Sequence, residues 1–253
     1  MNIELNNILT EIDRLKVELD NARPLPIEAL KKIKAAFEME YTFESNRMEG
    51  NTLTLQETAL VVSEGVTISG KSMREHLEAI NHAQAIELIK DIAKPDIEIN
   101  ERIIKEIHAI ILHGIDKENA GKYRDVSVMI VGSTHTPPQP LLVPPLMEQF
   151  MEAYKKIKAD LVHPVIISAF LHDELVKIHP FIDGNGRTSR LLMNLQLLAY
   201  GYPIANLKGD NQTKLFYYAA LEQSHIENKP EAFYCLVAQE VKKSLEKYLS
   251  LIE

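Results

Sequence analysis

The sequence predicts a mainly α-helical protein, a helical bundle that carries one short β-hairpin. Apolar residues recur every three to four positions over most of the 253 residues, which is the period of an amphipathic helix. Two segments, 54–57 (TLQE) and 72–75 (SMRE), have the pattern of a capping box at a helix start. Strand-like alternation is confined to residues 127–131. A hydrophobic content of 45% is enough for a buried core.

The N-terminal region is predicted to contain two long helices. The first is indicated by apolar residues at helical spacing, namely Ile8, Ile12, Leu15 and Leu19. Pro24 and Pro26 then interrupt the pattern. A second helix is expected over about 27–50, where Gly50 is a typical residue to end it. Glu49 is therefore expected in its last turn, where a carboxylate faces the negative end of the helix dipole and needs a cation.

Further helices and a single hairpin follow. The two capping boxes start helices that should end at Gly65 and before Pro95, and another helix is predicted over 100–114. Residues 121–143 alternate briefly, reach Gly132 and then contain several prolines, which predicts a short β-hairpin. The remaining helices are expected at 144–158, 164–177, 187–200, 210–227 and from 230 onward.

Charge and cysteine content limit the function classes. The formal net charge of −8 disfavours broad capture of nucleic acid or of an anionic membrane, so an anion site would have to be local. The single cysteine, Cys235, cannot form an internal disulfide, and the first residues lack the features of a signal peptide. Apolar runs fall short of a membrane span. A cytoplasmic protein without a membrane segment is expected.

The segment 179–190, HPFIDGNGRTSR, concentrates groups that suit phosphate chemistry. Gly184 and Gly186 lie in a bend that leads into a helix, so backbone amides and the helix dipole can converge on an anion. Arg187 and Arg190 lie three residues apart on one helix face, where two cations favour a bound polyanion. Asp183 suits a Mg²⁺ ion held by one carboxylate and phosphate oxygens. These residues predict a site for a nucleoside triphosphate.

His179 adds a base to this site. A neutral imidazole beside a phosphoryl group can accept the proton of an attacking hydroxyl, which contributes about 10²- to 10⁴-fold in rate. The pattern GxxxxGK[ST] of the common phosphate-binding loop is absent from the sequence. The residues themselves therefore indicate nucleotidyl or phosphoryl transfer.

The same segment matches the signature H-x-F-x-[DE]-G-N-G-R-x-x-R and so resembles the Fic (filamentation induced by cAMP) family at every fixed position. The resemblance implies a helical protein adenylyltransferase that moves AMP from Mg²⁺-ATP to a Ser, Thr or Tyr hydroxyl of a target protein. It implies that His179 is the general base and Asp183 the Mg²⁺ ligand. Gly184, Asn185 and Gly186 would form the anion hole, Arg187 would contact phosphates, Arg190 would hold the γ-phosphate, and Phe181 would anchor the loop.

Residues 45–50 (SNRMEG) resemble the inhibitory motif [ST]-x-x-x-E-[GN] that some family members, the so-called class II members, carry N-terminal to the core. The resemblance implies that Glu49 pairs with Arg190 and excludes the γ-phosphate. Ser45, four residues earlier on the same helix face, could brace the carboxylate or could be a solvated serine. Such a glutamate can also orient water for the removal of AMP from modified proteins. The direction of the reaction therefore stays open at this point.

Family resemblance also implies a target-binding flap and a division of the chain. The hairpin would bind the target by strand addition along Val128, Ile130 and Gly132. Tyr217 and Tyr218 fall where relatives line the base pocket, although a core position explains them equally well. The expected parts are an N-terminal helical region (1–95) that includes the inhibitory helix, a core (96–230) with flap 121–143 and loop 179–190, and a C-terminal helix (231–253).

Two other interpretations compete with this one. His172 and Asp173 could begin the metal site of an HD-type phosphohydrolase, with further ligands from His108, His113 or His163. A non-catalytic helical adaptor would use the apolar face of the first helix to bind a partner. Expected partners of the enzyme are a protein with a modifiable hydroxyl, the chain itself through self-modification, and a second copy in a homodimer.

Overall fold

The computed structural model describes residues 3–22 and 27–251. Within these residues the chain forms ten α-helices and one short 3₁₀-helix (Pro140–Leu142). Pro24 and Pro26, the predicted break, lie outside the described residues. In chain order the helices are α1 (Ile3–Asn21), α2 (Ile27–Met48), α3 (Leu55–Glu64), α4 (Met73–Ile92), α5 (Glu101–Ile111), α6 (Val143–Ala159), α7 (Pro164–Ile178), α8 (Asn185–Ala199), α9 (Asn211–Glu227) and α10 (Glu231–Leu249).

Both predicted capping boxes are confirmed. The hydroxyl of Thr54 accepts from the amide of Glu57, whose carboxylate accepts from the amide of Thr54. Ser72 and Glu75 make the same reciprocal pair at the start of α4. These bonds satisfy amides that a helix start leaves without partners. Gly65, with φ of 66°, ends α3 in the left-handed conformation that glycine readily adopts.

The central element is α8, which is buried almost all round. Met193 and Leu197 belong to one apolar cluster, which includes side chains of α1, α2, α7, α9 and α10. Leu191 and Leu195 belong to a second cluster, formed with α4, α5, α6 and α7. A helix that packs on all sides is fixed in position. The N-terminus of α8, which begins inside the 179–190 segment, is therefore held rigidly.

The predicted hairpin is not confirmed as a pair of strands. Across the described residues, which include all of 121–143, the chain has no β-strand. The predicted turn is present, because the amide of Ser133 donates to the carbonyl of Ile130 (3.2 Å) and Gly132 has φ of 81°. Its two arms are not joined by a ladder of backbone hydrogen bonds, and prolines 137, 138 and 140 remove donors from the second arm. Among the helices described, each is too short or too polar to span a bilayer.

Candidate active site

His179 lies directly after α7, in the left-handed conformation (φ 50°), and its amide closes the helix by donating to Leu175 (3.0 Å). Its Nδ1 is 3.2 Å from the carbonyl oxygen of Val176. A carbonyl can only accept, so Nδ1 carries the proton and Nε2 keeps its lone pair. Burial is the main cause that lowers the pKa of His179 to about 4. The imidazole is therefore neutral at neutral pH.

The loop after His179 is fixed to the core by Phe181 and His108. Phe181 is fully buried, and its ring is stacked on the imidazole of His108, with centroids 3.6 Å apart and planes 6° apart. Nε2 of His108 donates to the carbonyl of Asp183 (2.9 Å), and its Nδ1 accepts from the amide of Gly121 (2.9 Å). Burial lowers the pKa of His108 to about 4. Both ring nitrogens of this neutral histidine therefore make hydrogen bonds that fix the backbone of the loop.

The side chain of Asn185 stabilises the loop by hydrogen bonds to the loop backbone. Its side-chain oxygen accepts from the amide of Phe181 (3.0 Å), and its side-chain nitrogen donates to the carbonyl of the same residue (2.9 Å). Asn185 is 2% exposed. The side chain is therefore committed to the loop, and only the backbone amide of Asn185 is left for the anion hole expected from the sequence.

The N-terminus of α8 forms an anion site. Gly184 precedes the helix with φ of 78°, and no side chain caps the first-turn amides among the described residues. Uncapped amides and the helix dipole attract negative charge. That charge is supplied by Glu49: a methyl group at Gly186 would collide with Oε1 of Glu49 and lie 3.1 Å from Nη1 of Arg190. Gly186 therefore permits the close approach of a carboxylate to this helix end.

Glu49 follows the last residue of α2 and forms an ion pair with Arg190, with 2.7 Å between Oε1 and Nη2. Burial raises the pKa of Glu49, but Arg190 and Arg187 outweigh burial and the pKa is lowered. The sequence suggested that Ser45 could brace the carboxylate, but its hydrogen bonds in the structure are to the arginine. Its hydroxyl accepts from Nε of Arg190 (2.9 Å), and its carbonyl accepts from Nη2 of Arg190 (2.9 Å). Ser45 thus orients the arginine.

Asp183 belongs to a ring of four alternating charges. Its Oδ1 is 3.1 Å from Nη2 of Arg187, and its Oδ2 contacts Nη2 of Arg74. Glu78 completes the ring, because its Oε1 lies 3.1 Å from Nε of Arg74 and 3.3 Å from Nη1 of Arg187. Burial raises the pKa of Asp183, but Arg187, the Gly184 amide and Arg74 outweigh burial and lower it. The carboxylate is therefore ionised, and we refer to this set of four residues as the charge ring.

The metal chemistry of the site depends on Asp183. An ionised carboxylate that is 41% exposed beside an anion site suits a Mg²⁺ ion that takes its other ligands from phosphates and water. The rival metal site does not form. In the described part of the chain, no group of three or more His, Cys, Asp or Glu side chains could hold a metal ion. Asp173 instead accepts from Ser224 and His225, and His172 is hydrogen-bonded to the hydroxyl of Tyr217 (3.1 Å).

The two tyrosines differ in position. Tyr217 is 2% exposed and packs in the core against His172 and Phe233, so its side chain is not open to a ligand. Tyr218 is 42% exposed, and its ring lies 5.3 Å from that of Tyr217. Burial is the main cause that raises the pKa of Tyr218, and Glu49 adds to the shift. Tyr218 therefore remains the better candidate for a contact at the site.

Residues 121–143, the predicted flap, are tied to the loop that follows α7 by Arg124, which is 4% exposed. Its amide donates to Pro180 (2.9 Å) and its Nε to the carbonyl of His179 (2.8 Å). The same guanidinium donates to the carbonyls of Val126 (3.0 Å) and Pro138 (2.5 Å), at the two ends of the flap. Val128 and Ile130 are half-buried, whereas Met129 and Val131 are exposed. The flap therefore has an open face near the histidine.

Several of these residues could not be recognised from the sequence as parts of the site. Arg74 and Glu78 lie in a predicted helix without a local pattern that marks them as site residues, and the sequence suggested His108 only as a possible metal ligand. Arg124 ends the sequence GKYR (121–124), which resembles the segment that leads to the flap in the Fic family, and this resemblance is the only signal for it in the sequence. In the described structure Arg74, Glu78 and His108 lie near the start of α8 because α4 and α5 both pack against that helix.

Comparisons with known proteins agree with this fold. A family model described as the Fic/DOC family matches residues 98–197. Proteins named "Protein adenylyltransferase Fic" from Drosophila grimshawi and Drosophila willistoni are 34% identical over 221 residues, 87% of this chain. Those matches cover 45% and 43% of the two relatives, so the chain spans less than half the length of the curated relatives it matches.

Solved structures extend the likeness to the whole chain. A Fic domain-containing signaling protein from Bacteroides thetaiotaomicron has a TM-score of 0.88 at 28% identity, covering 96% of this chain and 97% of that one. Fic-1 (residues 134–508) from C. elegans has a TM-score of 0.85 at 28% identity, covering 98% of this chain and 71% of that one. With the match to the family model and the 179–190 signature, these likenesses establish that the chain belongs to the Fic family.

Proposed function

We propose that this chain is a protein adenylyltransferase that transfers AMP from ATP to a Ser, Thr or Tyr hydroxyl of a target protein. The observation that carries the proposal is the uncapped N-terminus of α8, which holds the carboxylate of Glu49 beside a neutral His179. An anion site next to a base suits attack of a hydroxyl on a phosphate. The names of the Drosophila relatives support the same activity.

His179 is proposed as the base. Its Nε2 lone pair accepts the proton of the target hydroxyl as the hydroxyl oxygen forms a bond to the α-phosphorus of ATP. The bond from that phosphorus to the bridging oxygen breaks, and pyrophosphate leaves. The Val176 carbonyl fixes the tautomer that makes Nε2 the acceptor. A bound triphosphate adds negative charge nearby, which raises the low pKa of His179 toward the range in which a base is efficient.

The phosphates are proposed to bind at the start of α8. The amides of Asn185 and Gly186 face the developing charge on the α-phosphate, and Arg190 takes the γ-phosphate in place of Glu49. Arg187 has a buried Nε without a hydrogen-bond partner among the described residues, which fits a further phosphate contact. Asp183 would hold Mg²⁺, which supplies neutralisation of triphosphate charge when bound.

Glu49 is proposed as a brake on this reaction. Its carboxylate pairs with the guanidinium that the γ-phosphate needs, so the two anions compete for Arg190. The same ionised carboxylate lies against Gly186, where it could also orient a water molecule toward an AMP-modified side chain. Removal of AMP is therefore the second candidate activity of this site.

The flap is proposed to bind the target. Residues 127–130 have no regular secondary structure and no pairing strand, and Met129 and Val131 are 89% and 101% exposed. A target segment that added as a strand along Val128 and Ile130 would bring its hydroxyl toward His179, because Arg124 ties the ends of the flap to that residue. The strand pairing expected from the sequence would then form only with the target.

A transfer assay tests the proposal. ATP labelled at the α-phosphate is incubated with Mg²⁺, cell lysate and wild type, Glu49→Gly or Glu49→Gly/His179→Ala protein. We expect strong labelling of protein by Glu49→Gly, little by wild type, and none by the double variant. Labelling that survives His179→Ala would overturn the role of the histidine. If no variant labels protein, while wild type removes AMP from modified protein, the second activity is the correct one.

A further inference from the structure

Arg74 occupies an unfavourable place in its own helix. It is the second residue of α4, where the positive end of the helix dipole disfavours a cation. Its guanidinium nevertheless points across to the catalytic loop, where it contacts Oδ2 of Asp183, a residue 109 positions away. Its Nε donates to Glu78 (3.1 Å). These two carboxylates compensate the dipole and hold Arg74 over the loop.

The two oxygens of Asp183 have different partners. Oδ1 accepts from the amide of Gly184 and from Nη2 of Arg187 (3.1 Å), which fixes the carboxylate to α8. Oδ2 contacts Arg74, a side chain that is 56% exposed and can move into solvent. Oδ2 is thus the oxygen that a divalent cation could reach, and a guanidinium already neutralises it. Two cations at one oxygen would repel each other.

We propose that Arg74 is a resident counter-ion of Asp183 that a divalent cation must displace before the metal site is complete. The inference rests on the proposed function, because it assigns Asp183 to the metal. Arg74 then sets the Mg²⁺ concentration at which the metal supports nucleotide binding. This control is separate from Glu49, which acts on Arg190 at the other end of the phosphate site.

Glu78 limits the movement that Arg74 needs to make when a cation replaces it at Asp183. Its Oε1 stays in contact with Nε of Arg74 and with Arg187, and its Oε2 accepts from the side chain of Asn51 (3.0 Å). A buried carboxylate with three partners is held firmly. Arg74 can therefore release Asp183 by moving its Nη2 end while its Nε end remains anchored. When the cation leaves, the same guanidinium returns to Oδ2.

The test measures ATP binding, not turnover. Glu49→Gly/His179→Ala protein serves as the parent, because it leaves Arg190 open and lacks the base. Isothermal titration with ATP is carried out in EDTA and at a series of Mg²⁺ concentrations, for the parent and for the same protein with Arg74→Ala or Arg74→Lys. Arg14→Ala is the matched control: Arg14 is 61% exposed, pairs with Glu11 and Glu18, and lies on α1, away from the loop.

Arg74→Ala is expected to lower the Mg²⁺ concentration for half-maximal effect about three- to tenfold, the range for loss of a partly exposed ion-pair cluster. Affinity for ATP in EDTA should stay within about twofold of the parent. Arg74→Lys should fall between, because it keeps the charge without the planar fork. Arg14→Ala should leave both values unchanged. Mn²⁺ binding followed by electron paramagnetic resonance should show the same order.

Two results would overturn the inference. Equal Mg²⁺ dependence in the parent and in Arg74→Ala would mean that Arg74 does not compete with the cation. Weaker ATP binding by Arg74→Ala in both EDTA and Mg²⁺ would make Arg74 a phosphate ligand instead. If the parent binds no ATP at any Mg²⁺ concentration, both the proposed function and this inference are wrong. That result differs from the other two, in which the parent binds ATP.

Discussion

Replacement of Asn185 by alanine tests whether the catalytic loop is built by side-chain bonds within the signature. The substitution removes two hydrogen bonds, of 3.0 and 2.9 Å, to the backbone of Phe181. Phe181 is fully buried, so its amide and carbonyl would lose their partner without gaining full contact with water. An unsatisfied buried polar group costs about 1–3 kcal/mol. We expect a loss of about 2–4 kcal/mol in the free energy of unfolding.

Urea denaturation followed by circular dichroism measures this change, and the slope m should stay constant if only stability is altered. Asn194→Ala is the matched control on the same helix, because its side chain makes the same reciprocal pair with the backbone of Ala205 (2.8 and 3.1 Å). Both variants should lose similar stability, but only Asn185→Ala should weaken ATP binding in the Glu49→Gly background. A loss below about 1 kcal/mol for Asn185→Ala would refute the reasoning.

Three further changes follow from the same contacts. Glu49→Gly leaves the buried charge of Arg190 without its carboxylate, so we expect a loss of about 1–2 kcal/mol in stability, a value reduced because Glu49 is 33% exposed. Thermal unfolding measures this loss, and addition of ATP should restore stability. Equal stability with and without ATP would contradict this. The imidazole of His179 should stay neutral until the pH falls toward 4, because burial disfavours its charged form; a proton-resonance titration with a midpoint near 6.5 would show this to be wrong. His108→Ala removes the ring stacked on Phe181 and two hydrogen bonds, for an expected loss of about 3 kcal/mol in urea denaturation; a loss under about 1 kcal/mol would mean that the loop relaxes without it.

Local chemistry made the helices predictable. Hydroxyl and carboxylate groups three residues apart satisfy helix-start amides wherever they occur, so the Thr54 and Ser72 boxes located the starts of α3 and α4. Asn100 and Asp210 likewise cap α5 and α9, at the expected boundaries. The bend at Gly184 before α8 also followed from local sequence, because glycine adopts its φ of 78° readily.

Contacts between distant segments could not be predicted from the sequence. Ser45 is 145 residues from Arg190, and helical spacing placed it on the face of Glu49, so the sequence did not reveal that its hydroxyl contacts the arginine. Arg74 has no local pattern that reveals Asp183 as its partner. The predicted β-hairpin of the flap is unconfirmed for a different reason. Alternation at residues 128–131 indicates which side chains share a face, but strands exist only when their backbone groups are paired.

The proposed brake depends on the need of Arg190 for an anion. Arg190 is 1% exposed, and a buried guanidinium without a counter-charge is unfavourable, so Glu49 or a bound phosphate stabilises the arginine. Glu49 is less dependent on the pair. It follows the C-terminus of α2, where the dipole disfavours its charge, but it is 33% exposed and water can solvate it once it is released. Exchange of Glu49 for a phosphate, as proposed above, would replace one anion by another at Arg190 while Glu49 regains hydration. We therefore expect the free-energy difference between the two states to be small, so that a modest change in nucleotide concentration or in the position of α2 would shift the balance.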